Sequence, residues 1–145
     1  MVEAIGRNQG PTKLERCDID DFVLADGLRG NSRLKSLRPR SSFSPEDADR
    51  QLLAIAGALR DNKGLVDLNL SSCWVSDETW GAICDSLKTH PTLEVLDLRV
   101  YITNTTRAPA VFMSSRMQAL ADMMKVNTSI HTLHLYSCFS EHELY

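Results

Sequence analysis

The chain has 145 residues, 43% of them hydrophobic and 24% charged, a globular composition that excludes a disordered tail or a fibrous chain. Sixteen Lys and Arg against nineteen Asp and Glu give a net charge of -3, which disfavours a wholly basic nucleic-acid binder. The apolar runs are too short to span a membrane, and the polar N-terminal segment 1–13 lacks the apolar centre of a signal peptide. We therefore expect a cytoplasmic protein, with a nuclear setting as the alternative, whose single domain occupies 14–145.

A Leu-x-x-Leu-x-Leu pattern recurs along the chain. Clear copies begin at Leu65 and Leu93, a third begins at Ile130, and weaker copies begin at Leu14 and Leu34. Self-similarity at intervals of 20 to 50 residues is typical of repeat architectures. The pattern predicts five parallel strands, with outward positions that include the row Asp18, Arg38, Asn69, Asp97 and His134.

Helical spacing fills the intervals between these strands. Apolar residues recur at i, i+3, i+4 and i+7, which indicates helices with one buried face near 20–29, 46–61, 77–89 and 112–126. The predicted buried faces are Leu52/Ile55/Ala56/Leu59, Trp80/Ile83/Cys84/Leu87 and Met117/Leu120/Ala121/Met124.

Each predicted strand after the first is preceded, three residues earlier, by a residue of a type that is common in left-handed backbone conformations. These residues are Asn31, Asn62, His90 and Asn127, and we expect them to cap the helices. The longest interval between strands carries extra residues around 100–109, rich in Asn, Thr and Pro, which predict a loop.

These repeats resemble leucine-rich repeat proteins of the ribonuclease-inhibitor-like class, from Leu14 to the end of the chain. Cys73 and Cys138 match the Asn or Cys position of that class. The resemblance implies an α/β solenoid of about five repeats, with parallel strands on its concave face and helices on its convex face. No closing helix follows the fifth strand in the sequence, so we expect a domain without a C-terminal cap. This favours a fragment of a longer repeat array, with association with a larger assembly through that end as the alternative.

A looser resemblance, to the leucine-rich domain of tropomodulin-type actin regulators, rests on the irregular insertion followed by a helix ending in Asn127-Thr128-Ser129. The wider class also includes activators of small GTPases. The resemblance therefore implies, as an alternative, a regulator of actin or of a small GTPase that acts by binding.

Catalytic and cofactor motifs are missing from the sequence. No phosphate-binding glycine loop or nucleophile elbow is present, so we expect no enzymatic activity and no cofactor. The four cysteines take structural positions. The string His131, His134, Cys138 and His142 suggests zinc, but strand geometry separates its first two members by about 10 Å, so we expect no metal.

The outward strand positions and the loop edge beside them are the predicted binding surface. Trp74 follows a strand and is expected to point outward, with Arg99 and Tyr136 on the same edge, as aromatic and Arg residues are enriched at interfaces. The candidate partner-binding residues are Arg38, Asp67, Asn69, Trp74, Asp97, Arg99, His134 and Tyr136. They predict a non-enzymatic protein–protein interaction module or scaffold.

A second alternative is phosphate or nucleic-acid binding. The segment 29–40 contains five Lys and Arg residues and no acidic residue. A phosphate-rich partner could use such a segment, although it carries no interleaved aromatic residues, and we expect nucleic acid to be an unlikely partner.

Overall fold

The structure is a computed structural model that describes residues 2–16, 21–40, 44–102 and 109–135. Short strands alternate with helices along the chain. The elements are α1 (Val2–Gly6), β1 (Lys13–Glu15), α2 (Asp21–Arg29), β2 (Ser36–Arg38), α3 (Pro45–Leu59), β3 (Asp67–Asn69), β4 (Trp74–Val75), α4 (Asp77–Leu87), β5 (Val95–Asp97), β6 (Tyr101–Ile102), α5 (Pro109–Val126) and β7 (Thr132–His134).

The five predicted strands pair as one parallel sheet in the order β1-β2-β3-β5-β7. Parallel neighbours require a crossover connection, and each crossover here carries a helix. Successive helices pack against one another in chain order, so a helix layer accompanies the sheet. The mixed α/β class and the parallel sheet are therefore confirmed.

The core lies between the sheet and the helix layer. The central strand leucines Leu37, Leu68 and Leu96 are adjacent in the register and fully buried. The predicted inward faces of α3 and α4 are buried too, including Trp80. Each of these helices begins at a serine N-cap, since Ser44 accepts from Asp47 N and Ser76 accepts from Thr79 N. Periodicity thus predicted the centre of the domain correctly.

The predicted register of the first strand is wrong. Leu14 pairs with Leu37 rather than with Leu34, so Glu15 lies beside Arg38 where the sequence placed Asp18. The predicted first strand has no second leucine in 15–19, and one buried leucine does not fix the register of a strand. Asp18 and Cys17 lie outside the described residues.

The predicted inward face of α5 is only partly correct. Leu120 is buried as predicted, but the other buried residues of the described part of α5 are Arg116 and Met123, whereas Met117, Ala121 and Met124 are exposed. Arg116, Leu120 and Met123 also have helical spacing, so the buried face of α5 is shifted by one position from the predicted face.

Three elements were missed by the sequence analysis. Helix α1 falls in the segment 1–13 and buries Ile5 completely against the core. Strands β4 and β6 pair as a separate two-stranded parallel sheet. Strand β6 lies within the segment 100–109 that is predicted to be a loop. Two-residue strands and a five-residue helix are too short to show a period.

Buried polar side chains link each repeat to the one before it. Asn62 donates through Nδ2 to Leu28 O and Asn31 O, both at 2.6 Å, and accepts at Oδ1 from Gly64 N and Leu65 N. Asn31 and Asn127 make equivalent contacts. We call Asn31, Asn62, His90 and Asn127 the polar ladder. The side chains of these residues, and not a left-handed backbone, cap the helices. None of the four has a positive φ, since the described non-glycine residues with positive φ are Asn8, Arg16 and Ser72.

His90 is the exception in the polar ladder. Its Nδ1 accepts from Leu93 N at 3.2 Å, which leaves the ring proton on Nε2, and Nε2 is buried without a partner. Burial lowers the pKa of His90 below its usual 6.5. The unfolded chain therefore takes up a second imidazole proton at His90 more readily than the folded chain does. The contribution of His90 to stability is complete above pH 6.5 and is lost as the pH falls.

We expect His90→Asn to raise the free energy of unfolding by about 1 kcal/mol at neutral pH, because an amide in this position can donate to the preceding repeat as Asn62 does. Below pH 6.5 the wild type should lose up to about 1.4 kcal/mol per pH unit through this residue, and the variant should not. Urea unfolding at about pH 5.5 and about pH 7.5 measures both effects. An equal pH dependence in the two proteins would contradict this account of His90.

Candidate interaction surface

The side of the sheet away from the helices carries two rows of side chains. The parallel register aligns Lys13, Ser36, Asp67, Val95 and Thr132 in the first row, and Glu15, Arg38, Asn69, Asp97 and His134 in the second. We call these ten residues the sheet face. The structure thus brings five of the predicted binding residues together on one surface: Arg38, Asp67, Asn69, Asp97 and His134.

Asp97 differs from its predicted role because it is buried. Its carboxylate accepts three hydrogen bonds from the Arg99 side chain, the shortest 2.5 Å from Nη2, and another from the Arg99 backbone. Burial alone would raise the pKa of Asp97, but the hydrogen bonds and charge of Arg99 outweigh it and lower the pKa. Asp97 therefore holds Arg99 in place, while the Arg99 side chain is 48% exposed.

The sequence predicts that Trp74 points outward, but this side chain is partly buried. It lies in β4, and its ring packs against Tyr101 of β6 with centroids 5.1 Å apart and a tilt of 38°. Tyr101 is 54% exposed, so the pair presents aromatic surface to solvent mainly through Tyr101. Tyr101 lies two residues after Arg99, in the segment 100–109 that the sequence predicts to be a loop, and no sequence pattern marks it as a binding residue. We call Trp74 and Tyr101 the aromatic pair.

Hydrogen bonds join the chain segments that lie between the sheet face and the aromatic pair. Arg38 Nη2 donates to Ser71 Oγ at 3.4 Å, and Ser72 N donates to Arg99 O at 2.9 Å. Arg16 and Arg40 are exposed where their strands end. We call the aromatic pair together with Arg16, Arg38, Arg40 and Arg99 the strand-end edge. The predicted Tyr136 lies outside the described residues.

The basic segment 29–40 does not form one patch. Arg29 lies on the helix layer, paired with Asp61 at 2.9 Å. Arg33 donates to Gly10 O, and Lys35 donates to Ser32 O and Gly64 O. Only Arg38 and Arg40 of this segment belong to the strand-end edge, so its five cations are spread over different parts of the structure.

The cysteines and the candidate metal ligands lie partly inside the described residues. Cys73 and Cys84 are buried, and burial raises the pKa of the Cys84 thiol to about 12, so this thiol stays protonated at neutral pH. Within the described ranges no three His, Cys, Asp or Glu residues are grouped to hold a metal ion. Cys138 and His142 of the candidate zinc string lie outside those ranges. None of the described helices has the length and apolar character to cross a membrane.

A parallel sheet with one helix per crossover and a repeated leucine pattern define an α/β domain of leucine-rich-repeat-like fold. Among solved structures, leiomodin-1 actin-binding site 2 superposes with a TM-score of 0.71 at 20% sequence identity, covering 93% of this chain and 76% of that one. That domain has a leucine-rich-repeat-like fold. No family model matches the sequence, and no curated protein matches it significantly.

Proposed function

We propose that this protein is a non-enzymatic interaction module, a short leucine-rich solenoid of the ribonuclease-inhibitor-like type that binds a protein partner. The observation that carries the proposal is the strand-end edge, where half-exposed Tyr101 packs against Trp74 and follows exposed Arg99 by two residues in the chain. Aromatic and Arg side chains are enriched at interface hot spots. The backbones of Trp74 and Tyr101 pair across the short parallel sheet of β4 and β6.

Actin is the first partner to test. The structural neighbour is titled as an actin-binding site, and this chain shares its fold over nearly its whole length. Fold alone does not fix function, so the assignment depends on direct binding. An actin partner agrees with the cytoplasmic location expected from the sequence.

We expect the purified chain to bind filamentous actin in a pelleting assay or monomeric actin in a titration. Tyr101→Ala should weaken that binding about tenfold or more, because truncating an aromatic anchor at an interface centre costs about 2 kcal/mol. Leu53→Ala is the matched control, since Leu53 is also an exposed apolar side chain but lies on α3 in the helix layer.

Circular dichroism spectra should be the same for both variants, because neither side chain is in the core. Absence of binding to filaments and to monomers by the wild type would reject actin as the partner. Equal losses in Tyr101→Ala and Leu53→Ala would reject the strand-end edge as the binding surface.

A further inference from the structure

Helix α5 leaves an apolar stripe exposed at one end of the helix layer. On α4, both residues of each adjacent pair at the core are buried, as Ser86 and Leu87 are. On α5, only the first residue of each equivalent pair is buried, and the second residues, Met117, Ala121 and Met124, are exposed. We call these three residues the α5 stripe.

The equivalent stripe of α4 is covered by α5. The Arg116 guanidinium of α5 lies 5.6 Å from the centre of the Trp80 ring, and Trp80 Nε1 donates to Arg116 O at 3.1 Å. In the described ranges β7 is the one element that follows α5, so no described helix covers the α5 stripe in the same way. Of the seven large hydrophobic side chains that are exposed there, four belong to α5 or to the residue after β7.

Strand β7 is the edge of the sheet at this same end. Its one partner among the described strands is β5. Thr132 N donates to Glu94 O, and His134 O accepts from Leu98 N, so these two residues of β7 turn their backbone groups towards β5. Because backbone groups alternate in direction along a strand, the N–H and C=O of Leu133 point to the open edge.

The two edges of the sheet differ in how well they resist pairing with another strand. Edge strand β1 carries Lys13 and Glu15 and follows Pro11, and charged residues and proline are what edge strands commonly use to prevent pairing. The segment 130–135 around β7 contains no Pro, Lys, Arg, Asp or Glu. The β7 edge is therefore open to a further strand, and the β1 edge is protected against one.

We infer that a second copy of this chain covers this end, related by a two-fold axis perpendicular to the sheet, with β7 antiparallel to β7 and α5 against α5. Leu133 N of each copy then donates to Leu133 O of the other. The α5 stripe is self-complementary in this arrangement, since Met117 lies opposite Met124 and the small Ala121 lies at the centre. The protected β1 edge disfavours a head-to-tail arrangement of copies. This inference goes beyond the proposed function and uses a different surface.

The test measures the mass of the whole chain by sedimentation equilibrium over a range of concentrations at neutral pH. We expect a reversible monomer–dimer equilibrium. Ala121→Glu should weaken the dimer about tenfold or more, because carboxylates of both copies then meet near the axis. The matched control is Gln118→Glu, which adds the same charge at an exposed position about a quarter turn from the α5 stripe and should leave the dissociation constant unchanged.

Cross-linking provides a readout that does not depend on a buried charge. Under mild oxidation Ala121→Cys should form a disulfide-linked dimer, since the two copies of this position face each other across the axis. Gln118→Cys and the wild type, which contains four cysteines of its own, should remain unlinked.

The other outcomes overturn the inference. A monomeric wild type that Ala121→Glu destabilises would indicate that another part of the same chain, such as 136–145, covers the α5 stripe. A monomeric wild type with unchanged stability in Ala121→Glu would leave the α5 stripe to a different partner. Oligomers that grow beyond two copies would reject the two-fold arrangement, because a two-fold interface closes at the dimer. Equal weakening by Ala121→Glu and Gln118→Glu would reject the α5 stripe as the contact.

Discussion

Asn62→Ala should lower the free energy of unfolding by about 3 kcal/mol. The side chain is fully buried, and its loss leaves the buried Gly64 N and Leu65 N without an acceptor and Asn31 O without its donor. Each buried polar group left unsatisfied costs about 1 to 3 kcal/mol. Gly64 packs tightly beside this ladder, since a Cβ there would lie 2.3 Å from Ser32 Cα, so the site has little room for a compensating shift.

Asn69→Ala is the matched control for this experiment. Asn69 also accepts from a backbone N–H, that of Ser71, but it is only partly buried, so water can replace it and the cost should be below about 1 kcal/mol. Urea unfolding of both variants measures the difference. Similar costs for the two substitutions would mean that the polar ladder does not join the repeats.

Asp77→Ala should cost about 2 to 3 kcal/mol because Asp77 neutralises a buried cation. Arg116 is 2% exposed, its Nε donates to Asp77 Oδ1, and its guanidinium lies over the Trp80 ring. Removing one partner of a buried ion pair leaves an uncompensated charge. The cost stays below that of a fully enclosed pair because Asp77 is 36% exposed.

A double-mutant cycle with Arg116→Met isolates this charge effect. Arg116→Met alone should be close to neutral, and Asp77→Ala in that background should cost only about 0.5 kcal/mol through the start of α4. Glu78→Ala, at the exposed neighbouring position of the same helix turn, should also cost about 0.5 kcal/mol or less. An unchanged cost of Asp77→Ala in the Arg116→Met background would contradict the role assigned to this pair.

Periodicity predicted the parts of the fold that depend on burial alone. The leucines of β2, β3 and β5 and the inward faces of α3 and α4 are each fixed by several apolar residues in register. Where a single leucine carried the pattern, as in β1, the predicted register was wrong by three residues. On α5, the apolar spacing predicted burial of Met117 and Met124, which are exposed.

The candidate surface was predicted less completely, because side-chain partners are tertiary properties. The sequence placed Arg38, Asp67, Asn69, Asp97 and His134 together on the sheet face, as the register confirms. The sequence did not show that Asp97 would be buried and would accept hydrogen bonds from Arg99. It also missed the pairing of β4 with β6, which brings Tyr101 onto Trp74 across 27 residues of sequence.

Hydrogen exchange of the chain bound to actin tests the central claim most directly, since it shows which backbone segments the partner covers. We expect the amides around Ser71–Val75 and Arg99–Tyr101 to exchange more slowly in the complex, while α3 (Pro45–Leu59) on the helix layer is unchanged. Slowed exchange in the exposed turns of α3 with no change at the strand-end edge would contradict the account.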